Sequence, residues 1–346
     1  MHVATNILVV KLSSLGDVVH AMPAVQDMRR AFPQARMDWV VERAFAPLVR
    51  RCEGVNRVIE CDLRRWRKAP LSAATRAAWR GFKAELQQQG YDAVLDLQGL
   101  TKSALVARIA RMAPGGRRYA MANRTDGSSY EAPTRWVADV ALTLPAHIHA
   151  VRRSRELCAQ ALHYPLPDVE RYGLLGAAVQ AGDGLALSGQ APMVALVHGT
   201  SRADKEWPAD HWVELGRRLN DSGCTVALVH GSDAEQQRSE HIAGALVRAQ
   251  VWPRLALDAL TDQLALCAGV VGVDSGLSHI AVALDLPHVQ IYNFDTAWRT
   301  GPQAPSDGSP PCQISVFAQP APSVDAVWQA WRGVLDATAL RRKRHA

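Results

Sequence analysis

Short β-branched runs alternate with amphipathic helical stretches along most of this chain, and the alternation occurs twice. In the first half the candidate strands are Asn6–Val10, Met37–Val41, Arg57–Glu60 and Ala93–Leu97. Helical patterns at Val18–Ala31, Ala44–Arg51 and Leu71–Gln89 separate them, and others follow at Lys102–Arg111, Thr134–Ala141 and His149–Leu162. Strands separated by helices imply parallel βαβ units in a doubly wound α/β sheet. From Tyr164 to Ala191 the amphipathic order lapses, and Pro165, Pro167, Gly173, Gly176, Gly182, Gly184 and Gly189 accumulate, with Pro192 just beyond. Such a stretch reads as a connection between domains, with room for a short strand.

The alternation then restarts. Strands are expected at Met193–His198, Thr225–His230, Gly269–Val273 and His288–Tyr292, with helices near Ala209–Asp221, Ala234–Val247, Leu260–Ala268 and Leu277–Leu284. Pro302–Pro311 is a Pro, Ser and Gly loop. Val324–Leu340 has helical spacing, with Val324, Val327, Trp328, Trp331, Val334 and Leu335 on one face. The expected division is a domain at 1–165, a connection at 166–192, a second domain at 193–322, and a terminal helix with a basic tail at 323–346. At about 100–200 residues per domain, 346 residues suit two domains.

Composition narrows the class. Apolar residues at 48% and charged residues at 21% describe a globular protein rather than a disordered one. The mean hydropathy of -0.09 and the lack of a long uncharged apolar run argue against a transmembrane span. The apolar stretch Ile7–Val10 meets Lys11 too soon for a signal peptide, so a cytoplasmic protein is expected. The six cysteines form no Cys-x-x-Cys pair and fit neither a zinc site nor a disulfide framework. Charge is split unevenly: residues 1–185 hold 26 Lys+Arg against 17 Asp+Glu, whereas residues 186–346 hold 13 against 16. A basic N-terminal half suits a polyanion or an anionic membrane surface, although most of these arginines are solvated surface.

Four motifs can carry chemistry. Val10–His20 sits where the first strand ends and a helix begins, the usual ligand position of an open α/β sheet. Gly16 permits a tight turn there. Asp17 reads either as a helix N-cap or as a cleft-facing carboxylate able to deprotonate a hydroxyl, and position alone favours the cap. With only Gly16 present, this is not the dinucleotide glycine fingerprint. Val197–Pro208 follows the first strand of the second half; Thr200, Ser201 and Lys205 suit phosphate oxygens, or else form a polar turn. Val273–His279 again runs from strand to helix, where Ser275 and Gly276 can expose N–H groups to an anion and His279 lies a turn further on. Asp274 would repel a phosphate, which points to a cap or a sugar hydroxyl. Arg64-Arg65-Trp66-Arg67-Lys68 is either an anion clamp, with a tryptophan for a sugar or lipid interface, or an exposed basic loop. No metal-ligand spacing, P-loop or nucleophile elbow is apparent.

Taken together, Val10–His20, Arg64–Lys68, Thr200–Pro208 and Asp274–His279 resemble the lipopolysaccharide heptosyltransferases of glycosyltransferase family 9. Tyr91–Val94 through Gln98-Gly99-Leu100, and His149–Val151 before Arg155-Glu156-Leu157, extend the resemblance over essentially the whole chain. The Lys-x-Ser-Ser-x-Gly-Asp opening, Arg-Arg-Trp-Arg-Lys and Asp-Lys-x-Trp-Pro favour the first of the family's two heptosyltransferases over the second. Two departures stand out. Asn293-Phe294-Asp295-Thr296 replaces the usual Gly-Pro-Thr-Asp, and Ser201 stands where a second Thr is common.

The resemblance implies a GT-B architecture, two Rossmann-like domains whose parallel sheets face a central cleft. It implies transfer of L-glycero-D-manno-heptose from ADP-heptose to Kdo of Kdo2-lipid A with inversion, without a metal or other cofactor. By motif, Asp17 corresponds to the general base. Thr200, Ser201, Lys205, Asp274, Ser275, Gly276 and His279 correspond to donor-binding positions, Glu235 to the ribose-binding carboxylate and Leu255 to the adenine pocket. Lys11, Ser14, Arg64, Arg65, Arg67, Lys68, Arg124 and Arg153 correspond to acceptor-binding positions. The expected partners are ADP-heptose, Kdo2-lipid A and the anionic surface of the inner membrane. A monomer at the cytoplasmic face is expected, and nucleic acid is not. Two other readings stay open: a related glycosyltransferase adding a different or later core sugar, and a non-catalytic nucleotide-sugar-binding protein on the same fold. Intact Asp17 and Lys205 favour catalysis, and the missing glycine fingerprint disfavours a nicotinamide dehydrogenase.

Overall fold

The computed structural model describes residues 5–176 and 191–345. The chain divides into two units, Met1–Leu174 and Leu175–Ala346. In the first, β1 (Asn6–Val10), β2 (Arg36–Glu42), β3 (Val55–Cys61), β4 (Tyr91–Asp96), β5 (Met112–Met121) and β6 (Val140–Leu142) form one parallel sheet in the order β3-β2-β1-β4-β5-β6. In the second, β7 (Met193–Val197), β8 (Thr225–Leu228), β9 (Ala249–Val251), β10 (Gly269–Val273), β11 (His288–Tyr292) and β12 (Gln313–Phe317) lie in the order β12-β11-β10-β7-β8-β9, also parallel. Both orders are 3-2-1-4-5-6 within their unit, the Rossmann arrangement. In each, the crevice between the first and fourth strands is the topological switch point where ligands bind.

The crossovers of the first unit are α1 (Leu15–Ala31), α2 (Ala46–Val49), α3 (Leu63–Trp66), α4 (Ala73–Leu86), α5 (Thr101–Ile109), α6 (Pro133–Val137) and α7 (Ala150–Leu162). Val10, Leu12, Val94 and Val106 pack with Phe82 and Leu86 of α4 beneath one face of the sheet. On α1 and α7, Asp27 and Arg155 form a buried pair, Nε to Oδ2 at 2.6 Å and Nη2 to Oδ1 at 3.2 Å. The second unit carries α8 (Ala209–Asp221), α9 (Asp233–Gly244), α10 (Leu257–Ala265), α11 (Gly276–Ala283), α12 (Ala297–Thr300) and α13 (Val324–His345). Trp331 and Val334 of α13 join Trp207, Trp212 and the β7, β10 and β11 side chains in one core. No helix among the described residues is long and apolar enough to cross a membrane.

Several expectations shift. The helix expected at Thr134–Ala141 stops at Val137, and its last residues become β6, paired to β5. Strand β5 itself gave no signal, because Pro114-Gly115-Gly116 interrupts it; long-range pairing to β4 overrides that local punctuation. Ala44–Arg51 resolves into a 3-10 turn at Arg43–Phe45 followed by α2. The basic run, which had a loop as its plain reading, begins on the short helix α3. At the start of the expected connection, Leu174 bridges Cys52 and the Gly173 carbonyl accepts from the Glu53 N–H. Residues 177–190 of this connection lie outside the described residues.

Candidate active site

In the first unit the switch point joins the loops after β1 and β4. The Gln98 Oε1 accepts from the backbone N–H groups of Leu12 and Ser13 at 3.0 and 3.1 Å, which fixes one loop against the other. Lys102 Nζ donates to Ser13 Oγ at 2.9 Å. The Ser13–Ser14 peptide is cis.

Ser14, not Asp17, is the N-cap of α1, which corrects the capping reading. Gly16 lies in the first helical turn, and Asp17 is the third helical residue. The two carboxylate oxygens of Asp17 have separate surroundings. Oδ2 accepts from the Ser14 N–H at 3.2 Å and the Ser14 hydroxyl at 2.9 Å. Oδ1 faces Lys11 Nζ at 3.5 Å and Arg153 Nη2 at 3.8 Å. The side chain of Asp17 is 36% exposed, whereas those of Lys11 and Arg153 are 2% and 8% exposed. Burial works to raise the Asp17 carboxyl, but Lys11, His20 and Arg153 outweigh it and hold it well below the usual carboxylate range. Burial lowers the Lys11 ammonium in turn. A partly exposed, ionised oxygen between two buried cations is poised to meet a polar, anionic molecule.

Lys11 also donates to the Leu97 carbonyl at 2.9 Å, so its charge acts on Asp17 from beneath rather than reaching into solvent. Arg153 Nη1 donates to Thr125 Oγ1 at 3.2 Å, tying α7 to the loop in which Arg124 is exposed. Arg64, Arg65, Arg67 and Lys68 are exposed around α3. Buried Glu42, raised by desolvation and eased by Lys102 and Arg64, sits beside the start of this run. Trp66 is not a free ring. Its ring is half-buried against Trp79 and Phe82, with centroids 5.7 and 5.6 Å away.

In the second unit the switch point joins the loops after β7 and β10. Lys205 Nζ donates to Asp274 Oδ2, and His279 Nε2 lies 3.5 Å from Asp274 Oδ1. Thr200 Oγ1 donates to the Asp274 carbonyl at 3.3 Å. Ser275, not Asp274, caps α11, accepting from the Ser278 N–H, which corrects the capping reading of Asp274. Burial opposes ionisation of Asp274, yet His279 and Lys205 outweigh it and hold the carboxyl well below the usual range. Ser275 and Gly276 are half-buried at the helix start, and Ser201 is exposed.

The Lys205 loop is held from two sides. Trp207 is buried in the core and donates through Nε1 to the Pro322 carbonyl at 2.8 Å. Burying a large apolar side chain is worth about 1.5–3 kcal/mol, enough to fix a short loop. Asn293 Nδ2 donates to the Asp204 and Glu206 carbonyls at 3.2 and 2.9 Å, so the divergent segment after β11 braces the residues flanking Lys205. Glu235 accepts through Oε2 from the Gly231 and Ser232 N–H groups at 2.6 and 3.2 Å. Gly199 lies close beside it: a Cβ there would come within 2.5 Å of Glu235 Oε1 and push that carboxylate aside. Leu255 is half-buried in the loop before α10. His198 is not part of this polar cluster; its Nε2 lies 2.7 Å from Ser239 Oγ, and burial lowers it to about 4.

Gln98, Lys102, His20 and Asn293 belong to these clusters but carry little prior mark. Gln98 stands in the sequence only as part of the Gln98-Gly99-Leu100 marker and Asn293 only as part of the divergent segment, and neither is assigned a role there.

The family model of glycosyltransferase family 9 (heptosyltransferase) matches residues 79–314. Lipopolysaccharide heptosyltransferase 1 of Pseudomonas aeruginosa is 39% identical over 303 residues, covering 86% of this chain and 81% of that protein. The protein of that name from Escherichia coli K12 is 36% identical over 297 residues, covering 83% and 87%. Among solved structures, E. coli heptosyltransferase WaaC with ADP superposes with a TM-score of 0.83 at 33% identity, covering 95% of this chain and 99% of that one. WaaC with ADP-2-deoxy-2-fluoro heptose gives 0.77 at 34%, covering 94% and 98%. Two Rossmann-like units are the components of the GT-B fold, as expected. With this fold, these clusters and relatives matched along most of their length, the chain belongs to glycosyltransferase family 9, the heptosyltransferases.

Proposed function

We propose that this heptosyltransferase moves L-glycero-D-manno-heptose from ADP-heptose to a Kdo hydroxyl of Kdo2-lipid A, with inversion at the anomeric carbon. The observation that carries the reading is the pairing of chemistries at the two switch points: an ionised Asp17 between Lys11 and Arg153 in one unit, and Lys205 with His279 around Asp274 in the other. The names of the relatives, and the solved structures of WaaC with ADP and with ADP-2-deoxy-2-fluoro heptose, support the donor.

In this mechanism Asp17 accepts the proton of the attacking acceptor hydroxyl. Its depressed pKa keeps it ionised in the free enzyme but makes it a weak base. An acceptor carboxylate pairing with Arg153 or with nearby cations would loosen their hold on Asp17 and raise its basicity as the substrate seats. Charge builds on the departing diphosphate, where Lys205, the Thr200 and Ser201 hydroxyls and the N–H groups at the start of α11 would stabilise it. The basic run Arg64–Lys68 supplies cations for acceptor phosphates and carboxylates. The protein works as a peripheral enzyme at an anionic membrane surface, on the cytoplasmic side, because its acceptor is a lipid.

The test is mass spectrometry of Kdo2-lipid A incubated with ADP-heptose and the protein. One heptose should be gained per acceptor, with stoichiometric ADP. ADP release without a gain in acceptor mass, or gain only on an acceptor already carrying heptose, overturns the reading.

A further inference from the structure

The α3–α4 hairpin encloses a pocket of about 490 Å3 that shares no residue with the Asp17 cluster. Its floor is apolar, made by Leu63, Trp66 and Trp79, and Arg67, Arg76 and Arg80 also line it. The volume lies within the range of about 300–1,000 Å3 typical of small-molecule sites. Arg76 and Arg80 are four residues apart on α4, so they project from one face a single turn apart. All three arginines are exposed and have no ion-pair partner among the described residues. The hairpin tip carries Leu71, 81% exposed, a large apolar side chain offered directly to its surroundings.

An aromatic floor ringed by unpaired guanidinium groups is complementary to a molecule that is anionic at one end and apolar at the other. Arginine pairs with phosphate through two N–H donors and lies well against an aromatic ring. Tryptophan favours the boundary between headgroup and acyl chain. We propose that this pocket binds an anionic phospholipid of the bilayer, phosphate on Arg76 and Arg80 and the upper acyl chain over Trp66 and Trp79, with Leu71 entering the interface. The inference rests on the membrane-surface reading above and gives it an anchoring site whose phosphate-binding pair, Arg76 and Arg80, is distinct from the acceptor cations, although Arg67 lines both. The pocket is made by the hairpin alone and shares only Arg67 with the residues assigned to the acceptor, whereas Asp17, Lys11 and Arg153 lie at the switch point. That separation favours a bulk lipid over the acceptor's own lipid portion.

The experiment compares the full chain with R76Q/R80Q, both checked for folding by thermal melting. Each is titrated with vesicles of phosphatidylcholine alone and of equal parts phosphatidylcholine and phosphatidylglycerol. The wild type should bind the anionic vesicles selectively, and the double variant should lose about tenfold or more of that affinity. Phosphatidylglycerol with brominated acyl chains should quench a tryptophan component that disappears in Trp66→Phe and Trp79→Phe. In the same samples, turnover of a deacylated, water-soluble Kdo acceptor should be unchanged by R76Q/R80Q. Wild-type vesicle affinity in the double variant overturns the proposal. So does charge-dependent binding with no quenching from Trp66 and Trp79, which would mean surface attraction without occupancy of the pocket. A raised KM for the soluble acceptor with unchanged vesicle binding assigns the pocket to the acceptor and also overturns it. Absence of turnover in the wild type would instead defeat the proposed reaction, whatever the vesicles show.

Discussion

Arg153 of α7 reaches to 3.8 Å from the Oδ1 of Asp17 in the first turn of α1, from a position more than 130 residues further along the chain. With Lys11 at 3.5 Å it makes Asp17 the one carboxylate of this cluster that faces two buried cations and stays partly open to solvent. Asp17→Asn retains the oxygen that accepts from Ser14 but cannot take a proton. Transfer should fall by about 10²-fold or more, within the range for a positioned base, with ADP affinity little changed. Near-normal turnover by the folded variant would exclude the base assignment.

The same arrangement sets a pH dependence. Lys11, His20 and Arg153 depress Asp17, so it stays ionised well into acid, and the acid limb of kcat/KM should lie below the ordinary aspartate range. Lys11→Met removes one opposing charge and should move that limb upward. A limb that does not move in Lys11→Met would place the titrating group elsewhere.

Lys205 and His279 converge on Asp274 from two loops. Lys205→Ala should weaken ADP binding by about 10- to 100-fold, the worth of one charge-assisted hydrogen bond, and slow transfer. His279→Ala should do the same more mildly. Isothermal titration with ADP checks both, and unchanged affinity in Lys205→Ala would remove this loop from the donor site.

The basic run is expected to serve the acceptor. Clustered cations near an anionic surface contribute about 1 kcal/mol each and are screened by salt. Replacing Arg64, Arg65, Arg67 and Lys68 by Ala should raise the acceptor KM by about 10²-fold at low salt and reduce the salt sensitivity of the activity. ADP-heptose binding should hardly change. Paired titrations at two salt concentrations decide it: a loss confined to the donor would tie the run to the nucleotide sugar or to the fold.

Asp96, at the end of β4, offers a stability test. Burial raises it to about 6, against the hydrogen bonds it accepts from the Gly99 and Gln98 N–H groups and from Ser103. A folded pKa above the unfolded one means the native state binds more protons between those values. Stability should therefore fall as pH rises from about 4 to about 6, by up to about 3 kcal/mol. Asp96→Asn can keep the accepting oxygen toward the two N–H groups and donate to Ser103, and it should flatten that fall. Urea midpoints across the interval measure it, and a parallel slope in the variant would assign the effect to another group.

Asp27 and Arg155 are both nearly inaccessible, and Arg155 also donates to the Pro167 carbonyl at 2.6 Å. Asp27→Ala removes the hydrogen-bonded carboxylate from a buried guanidinium, leaving Glu170 Oε2 at 3.9 Å from Nη1, and should cost about 3–5 kcal/mol, whereas Asp27→Leu with Arg155→Met should cost much less. Equal losses in denaturant titrations would show that the pair acts through packing rather than charge.

Much of this molecule is local in origin. Asn6–Val10, Gly269–Val273 and His288–Tyr292 are strands with the bounds that their apolar runs suggest, because a central parallel strand is buried on both faces and therefore reads as continuous Val, Ile and Leu. Ala209–Asp221 likewise follows from its apolar spacing. The motif positions of Asp17, Thr200, Lys205, Asp274 and His279 were equally legible, since ligand loops of an α/β sheet follow strand ends. Other features depend on partners remote in sequence. The three-residue strand β6 exists because β5 lies beside it, and β5 survives its own Pro-Gly-Gly because β4 pairs with it. Whether Asp17 caps a helix or faces Lys11 and Arg153, and whether Trp66 is free or packed on Trp79, depends on how α7 and α4 lie against the sheet. The strand order 3-2-1-4-5-6 places the loop after the first strand against the loop after the fourth, and no periodicity along the chain encodes that neighbour. Charge and hydrogen-bond energies fall off over a few ångströms, so the roles of these residues were settled only once the two loops met in space.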